Sequence, residues 1–103
     1  MPQRFRVATV LCALGLTALS SPGLAAEDHA AVLWASTCYA CHGPEGRSDG
    51  GMPSIAGLSA DGLYKILIEF REGERRATIM HHQTRGFTDE QLRRIANVLG
   101  ASN

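Results

Sequence analysis

Cys38-Tyr39-Ala40-Cys41-His42 is the stretch on which the reading of this 103-residue chain turns. Two thiols three positions apart on one helical turn point the same way, and the next residue offers an imidazole. That spacing reads as covalent attachment of a c-type haem, with thioethers from Cys38 and Cys41 to its two vinyl groups and His42 on the iron. A bare Cys-x-x-Cys would also suit a redox disulfide or half of a zinc site. The His that follows at once, with no second Cys pair and no βαβ pattern, argues against both. The plain alternative is a pair of packed thiols beside a surface imidazole.

Working outward toward the N-terminus, Arg4 and Arg6 precede an apolar run from Val7 to Leu19, which gives way to Ser20-Ser21-Pro22-Gly23-Leu24-Ala25-Ala26. A basic start, a short apolar centre and small residues predict a secretory signal peptide over residues 1–26, cut after Ala25 or Ala26, since the run is too short to cross a bilayer. Without cleavage the same segment would be a membrane anchor. Cys12 follows the bulky Leu11 and falls inside the discarded part, which leaves two cysteines, both in the haem motif. Residues 27–103 then form one small domain, expected in the periplasm with no membrane span after cleavage. Its core would be marginal without help, and a covalently held haem supplies apolar surface.

The whole chain carries ten basic and ten acidic side chains. All but Arg4 and Arg6 lie from residue 27 on, so the exported part is slightly acidic and is no general binder of nucleic acid. Acids dominate residues 27–61 and bases residues 62–103. Such a dipolar chain can orient on a charged partner, or simply carry solvated helix faces.

Three helical signals and two loops order the rest. Asp28 is placed to cap a helix through Ala30, Ala31, Leu33, Trp34 and Ala35 that delivers the haem motif, with Ala30, Leu33 and Trp34 on its buried stripe and Thr37 continuing it. The Gly- and Pro-rich segment Gly43–Gly57 reads as a loop over one haem edge, and a backbone carbonyl near Pro53 is expected to orient His42. Ser59 caps a second helix whose Leu63, Ile66, Leu67 and Phe70 repeat at helical spacing, and Gly73 ends it. Glu74–Phe87 lacks a usable stripe and is expected to be a second haem loop. Thr88 with Gln91 forms a capping box, Phe87 and Leu92 a hydrophobic staple, and Leu92, Ile95, Ala96 and Leu99 the stripe of a last helix that Gly100 should stop.

The remaining axial position has four candidates: Met52, Met80, His81 and His82. Met52 lies only ten residues after His42, which suits loop packing. Met80, in the loop between two amphipathic helices, has enough chain to reach the iron from the other side, although a lone Met is more often simple core. An extended loop would turn His81 away from the haem and His82 toward it, or leave both as solvated histidines.

With these motifs in place, the chain resembles a class I cytochrome c across residues 27–103. More closely it resembles the single-haem cytochrome subunit of flavocytochrome c sulfide dehydrogenases, through Pro53-Ser54-Ile55-Ala56-Gly57-Leu58, Phe70-Arg71-Glu72-Gly73-Glu74-Arg75 and Gly86-Phe87-Thr88-Asp89-Glu90. The resemblance implies an all-α fold of three main helices and two loops around one covalent haem c, attached at Cys38 and Cys41, with His42 and Met80 as axial ligands. It also implies a sulfide-oxidising flavoprotein as electron donor, a free carrier to an oxidase or reaction centre being the runner-up. Two departures stand out: His81 replaces the usual glycine after the ligand methionine, and Val98 and Leu99 replace aromatics near the end of the last helix. No paired carboxylates or nucleophile and base suggest independent catalysis. A ligand-binding or peroxidatic haem protein, and a zinc-stabilised module using His29, His81 or His82, are the readings from other classes.

Overall fold

The computed structural model describes residues 28–101. The predicted signal peptide and Cys12 lie outside them. Five α-helices follow one another: α1 (His29–Ser36), α2 (Tyr39–His42), α3 (Ala60–Glu72), α4 (Met80–Arg85) and α5 (Asp89–Ala101), with a 3-10 turn at Pro44–Gly46. The described residues are all helix and loop, as the sequence predicts.

Capping chemistry sets most of the boundaries. Asp28 Oδ1 accepts from the Ala31 amide at 3.1 Å and Ser59 Oγ from the Gly62 amide at 3.1 Å. At Thr88 the box closes in both directions. Its amide donates to Gln91 Oε1 at 2.9 Å, and its hydroxyl accepts from the Gln91 amide at 3.2 Å. Each such cap contributes about 1 kcal/mol by satisfying an otherwise orphaned helix-end amide. Gly73, in the left-handed region, closes α3.

α5 is the spine. It packs on α3 and α1, while α4 packs on α3. The core joins Ala35, Leu63, Leu67, Leu92, Ile95, Ala96 and Leu99, with Trp34, Tyr64, Ile68, Met80 and Phe87 around its edge. Each buried Leu or Ile there contributes about 1.5–3 kcal/mol through apolar area removed from water.

The buried face of α1 differs from expectation. Ala31 and Ala35 are fully buried, while Leu33 is 68% exposed and Ala30 lies open. A helix apolar nearly all round offers no periodicity by which to choose its face. The small residues win because Ala31, Ala35 and Ala96, each at 0% exposure, suit a close approach of α1 and α5. That crossing lacks a large aromatic on α5 and is tied by charge instead. Arg94 donates to both Asp28 carboxylate oxygens at 2.6 Å, and its guanidinium lies 4.9 Å from the Trp34 ring centroid.

Two further corrections concern helix extent. Met80–Arg85 is helical, where a loop was expected. Six residues are too few for a stripe to show, and the buried one is a polar Thr84. α5 also runs through Gly100 to Ala101. A Cβ at Gly100 would lie 2.6 Å from the Ala60 amide nitrogen, so glycine here permits close packing of α5 on α3 rather than stopping the helix.

The Asp28–Arg94 pair makes stability depend on pH. The Arg94 guanidinium, aided by the Ala31 amide, holds the Asp28 carboxyl down to about 2 from 3.8. A depressed acid contributes its full stabilisation above its unfolded value and loses it as pH falls through the folded one. Asp28→Asn keeps a competent cap and loses the ion pair. Its unfolding midpoint should lie below wild type at neutral pH, with the gap closing between pH 3.8 and about 2. A gap independent of pH would refute this.

Candidate haem-binding site

α1 does not run straight into the motif. Thr37 and Cys38 keep right-handed backbone angles but form a turn, after which α2 carries Tyr39 to His42. The Cys38 carbonyl accepts from both the Cys41 amide at 3.3 Å and the His42 amide at 2.9 Å. One helical turn therefore presents both thiols and the imidazole together. Neither thiol is in a disulfide; Cys38 is partly buried against the core and Cys41 is exposed. Burial pushes the Cys38 thiol above its usual pKa, partly offset by a hydrogen bond with Thr37.

His42 is only 8% exposed, and its Nδ1 lies 2.5 Å from the Pro53 carbonyl oxygen. That carbonyl can only accept, so Nδ1 carries the proton and Nε2 keeps its lone pair for a metal. The expected partner near Pro53 is thus present, and the loop is built to deliver it. The Gly46 carbonyl accepts from the Ile55 amide at 2.9 Å and the Ala56 amide at 3.1 Å. Ser54 Oγ accepts from the Ser48 amide at 2.8 Å and donates to the Ser48 carbonyl at 3.3 Å. These contacts fold Gly43–Ala56 back on itself, and Ile55 reaches the core edge. Thiol, thiol and an oriented imidazole form a donor set that fits a covalently held haem.

Met80 arrives from a different element. It opens α4 and its partly buried side chain packs on the core that Cys38 also touches. Met52 is exposed in the Gly-rich loop, where loop packing was expected. His81 and His82 do not alternate as in an extended strand, because they lie on a helix, with ring centroids 4.0 Å apart. Burial lowers the His81 pKa below the ordinary imidazole value, and His82 and Arg85 add to the effect. Among the described residues no group of three or more His, Cys, Asp or Glu side chains is placed to hold a metal ion. No described helix is long and apolar enough to cross a membrane.

Sequence reasoning missed Thr84, the buried residue of α4, and Arg94, which ties α5 to the start of α1. Only the pairing of Arg94 with a capping aspartate 66 positions away would have marked the second, and one sequence offers no such signal.

Residues 27–100 match the Cytochrome c family. The chain is also 38% identical over 64 residues to the cytochrome subunit of sulfide dehydrogenase from Chlorobaculum tepidum. That match covers 62% of this chain and 58% of the relative, so the chain spans less than two thirds of that protein's length. The family match over the folded region, on a helical frame that presents two thiols and an oriented imidazole, shows that this chain belongs to the cytochrome c family, proteins that hold a covalent haem c and transfer electrons.

Proposed function

We propose that residues 27–103 are an exported, single-haem electron-transfer domain, released from a signal peptide over residues 1–26, that works in the periplasm beside a sulfide-oxidising flavoprotein subunit. In this reading Cys38 and Cys41 hold the haem covalently, and His42 and Met80 are its axial ligands. The observation that carries it is the 2.5 Å contact between His42 Nδ1 and the Pro53 carbonyl on the turn that also presents both thiols. The likeness to the Chlorobaculum tepidum subunit supports the choice of partner.

A haem c, when bound, supplies a one-electron iron couple. The chain's own residues fix how it is held. Cys38 and Cys41 anchor one edge to α2, so the group cannot exchange with solvent. The Pro53 carbonyl holds the His42 ring in one tautomer and orientation and raises its basicity. Packing of α4 on α3 brings Met80 to the core edge, where a thioether in place of a second imidazole raises the reduction potential.

The test is purification of the exported protein with whatever accompanies it. The expected result is a red protein whose mass begins at residue 26 or 27, with one covalent haem, a sulfur-to-iron absorption band when oxidised, and a co-purifying flavin. Haem without flavin would move the reading to a free carrier. A colourless protein from cells with intact haem-attachment machinery would overturn it.

A further inference from the structure

Thr84 is 1% exposed and, with Leu92, is one of the two largest fully buried side chains. A valine would fill the same volume without the cost of burying a hydroxyl. That hydroxyl donates to the Met80 carbonyl at 2.9 Å, with the His81 carbonyl further off at 3.4 Å. The N-cap of α4, Ile79, supplies no side-chain hydrogen bond, so the Thr84 hydroxyl is the side chain bonded to the backbone of the helix's first turn. The same residue secures the other end: the Thr84 carbonyl accepts from the Phe87 amide at 3.2 Å, and Phe87 packs at the core edge with its ring centroid 6.1 Å from that of Trp34. The buried Thr84 side chain thus contacts the first turn of this six-residue helix, while its backbone carbonyl takes part in the turn that ends it. A threonine hydroxyl bonded to the carbonyl four residues back also bends the helix locally, and so sets the direction of the residue whose carbonyl it holds.

We propose that Thr84 is a positioning residue for the Met80 sulfur, fixing the backbone from which the thioether extends. The proposal rests on Met80 being an axial ligand.

The experiment uses haem-loaded, full-length protein exported with its natural leader, comparing Thr84→Val, Thr84→Ser and Met80→Ala. Readouts are the sulfur-to-iron band of the oxidised form and the affinity for added imidazole. Thr84→Val should keep stoichiometric haem, weaken the band and raise imidazole affinity by about 3- to 10-fold, the range a lost hydrogen bond supports. Thr84→Ser, which loses a methyl and keeps the hydroxyl, should unfold at lower urea yet retain the band and the wild-type imidazole affinity. A wild-type band and affinity in Thr84→Val, or equal losses in Val and Ser, would overturn the positioning role. Should Thr84→Val yield no holoprotein, Thr84→Ala set against Thr84→Ser isolates the hydroxyl, and equal bands in those two would overturn it as well. If wild type lacks the band and Met80→Ala leaves imidazole affinity unchanged, the axial assignment of Met80 has failed, and the role of Thr84 falls with it.

Discussion

Met80→Ala is expected to leave the haem fully attached while raising the affinity of the iron for imidazole or, when reduced, carbon monoxide on the order of a hundredfold, equivalent to about 2.7 kcal/mol. Attachment should survive because the proposed anchors belong to another element: Cys38 and Cys41 sit on the α2 turn, and His42 is oriented from the Gly-rich loop. The fold survives because Met80 is only partly buried at the core edge, so its truncation costs less than the roughly 2–5 kcal/mol of a fully buried methionine. The two histidines that follow are the natural competitors for the iron. On α4 successive side chains diverge by about 100°, so neither His81 nor His82 shares the direction of Met80. If one of them were nevertheless the ligand, Met80→Ala would keep wild-type ligand affinity, and alanine at His81 or His82 would produce the change instead.

Local chemistry made much of this protein legible from its residues. The three N-caps, the capping box and the Gly73 terminus all depend on contacts within a few positions, and the structure contains each of them. The link from His42 to Pro53 spans eleven positions and was legible because a metal-bound imidazole needs an acceptor and a loop so rich in Gly and Pro can fold back to offer one. Failures came where the deciding contact was distant or the element short. The buried face of α1 is chosen by Ala96, some sixty positions on, and the continuation of α5 through Gly100 by the proximity of Ala60. α4 escaped because six residues, most of them polar, carry no period, and the face they bury is chosen by packing on α3. Of the proposed haem site, spacing alone pointed to Cys38, Cys41 and His42, which the structure carries on one turn. The placement of Met80 needed the packing of α4 on α3, which spacing cannot supply.

The largest structural effect should come from the residue directly after His42. Gly43 has φ 86° and ψ 171°, a region open essentially to glycine alone. A Cβ there would lie 2.0 Å from the Arg47 carbonyl oxygen and 2.7 Å from its carbon, both backbone atoms that no side-chain rotation can move aside. Its own amide and carbonyl are engaged as well, the first donating to the Tyr39 carbonyl at 3.0 Å and the second accepting from the Gly46 amide at 2.9 Å. Gly43→Ala must therefore push Arg47 and Ser48 outward, and Ser48 is tied to Ser54, next to Pro53. Strain and clash together should cost about 3–5 kcal/mol, a large share of the roughly 5–15 kcal/mol that stabilises a typical domain. Gly73→Ala is the control, since Gly73 also has positive φ but a Cβ there meets nothing within 4 Å, and strain alone should cost about 1 kcal/mol. Urea unfolding of the two variants, read beside their haem content, separates conformational strain from collision. The expected order is a modest midpoint shift for Gly73→Ala against a sharp fall in both midpoint and haem yield for Gly43→Ala. Equal midpoints would mean that the turn after His42 can open without loss, and the Pro53 carbonyl would then not be held against the imidazole by the loop.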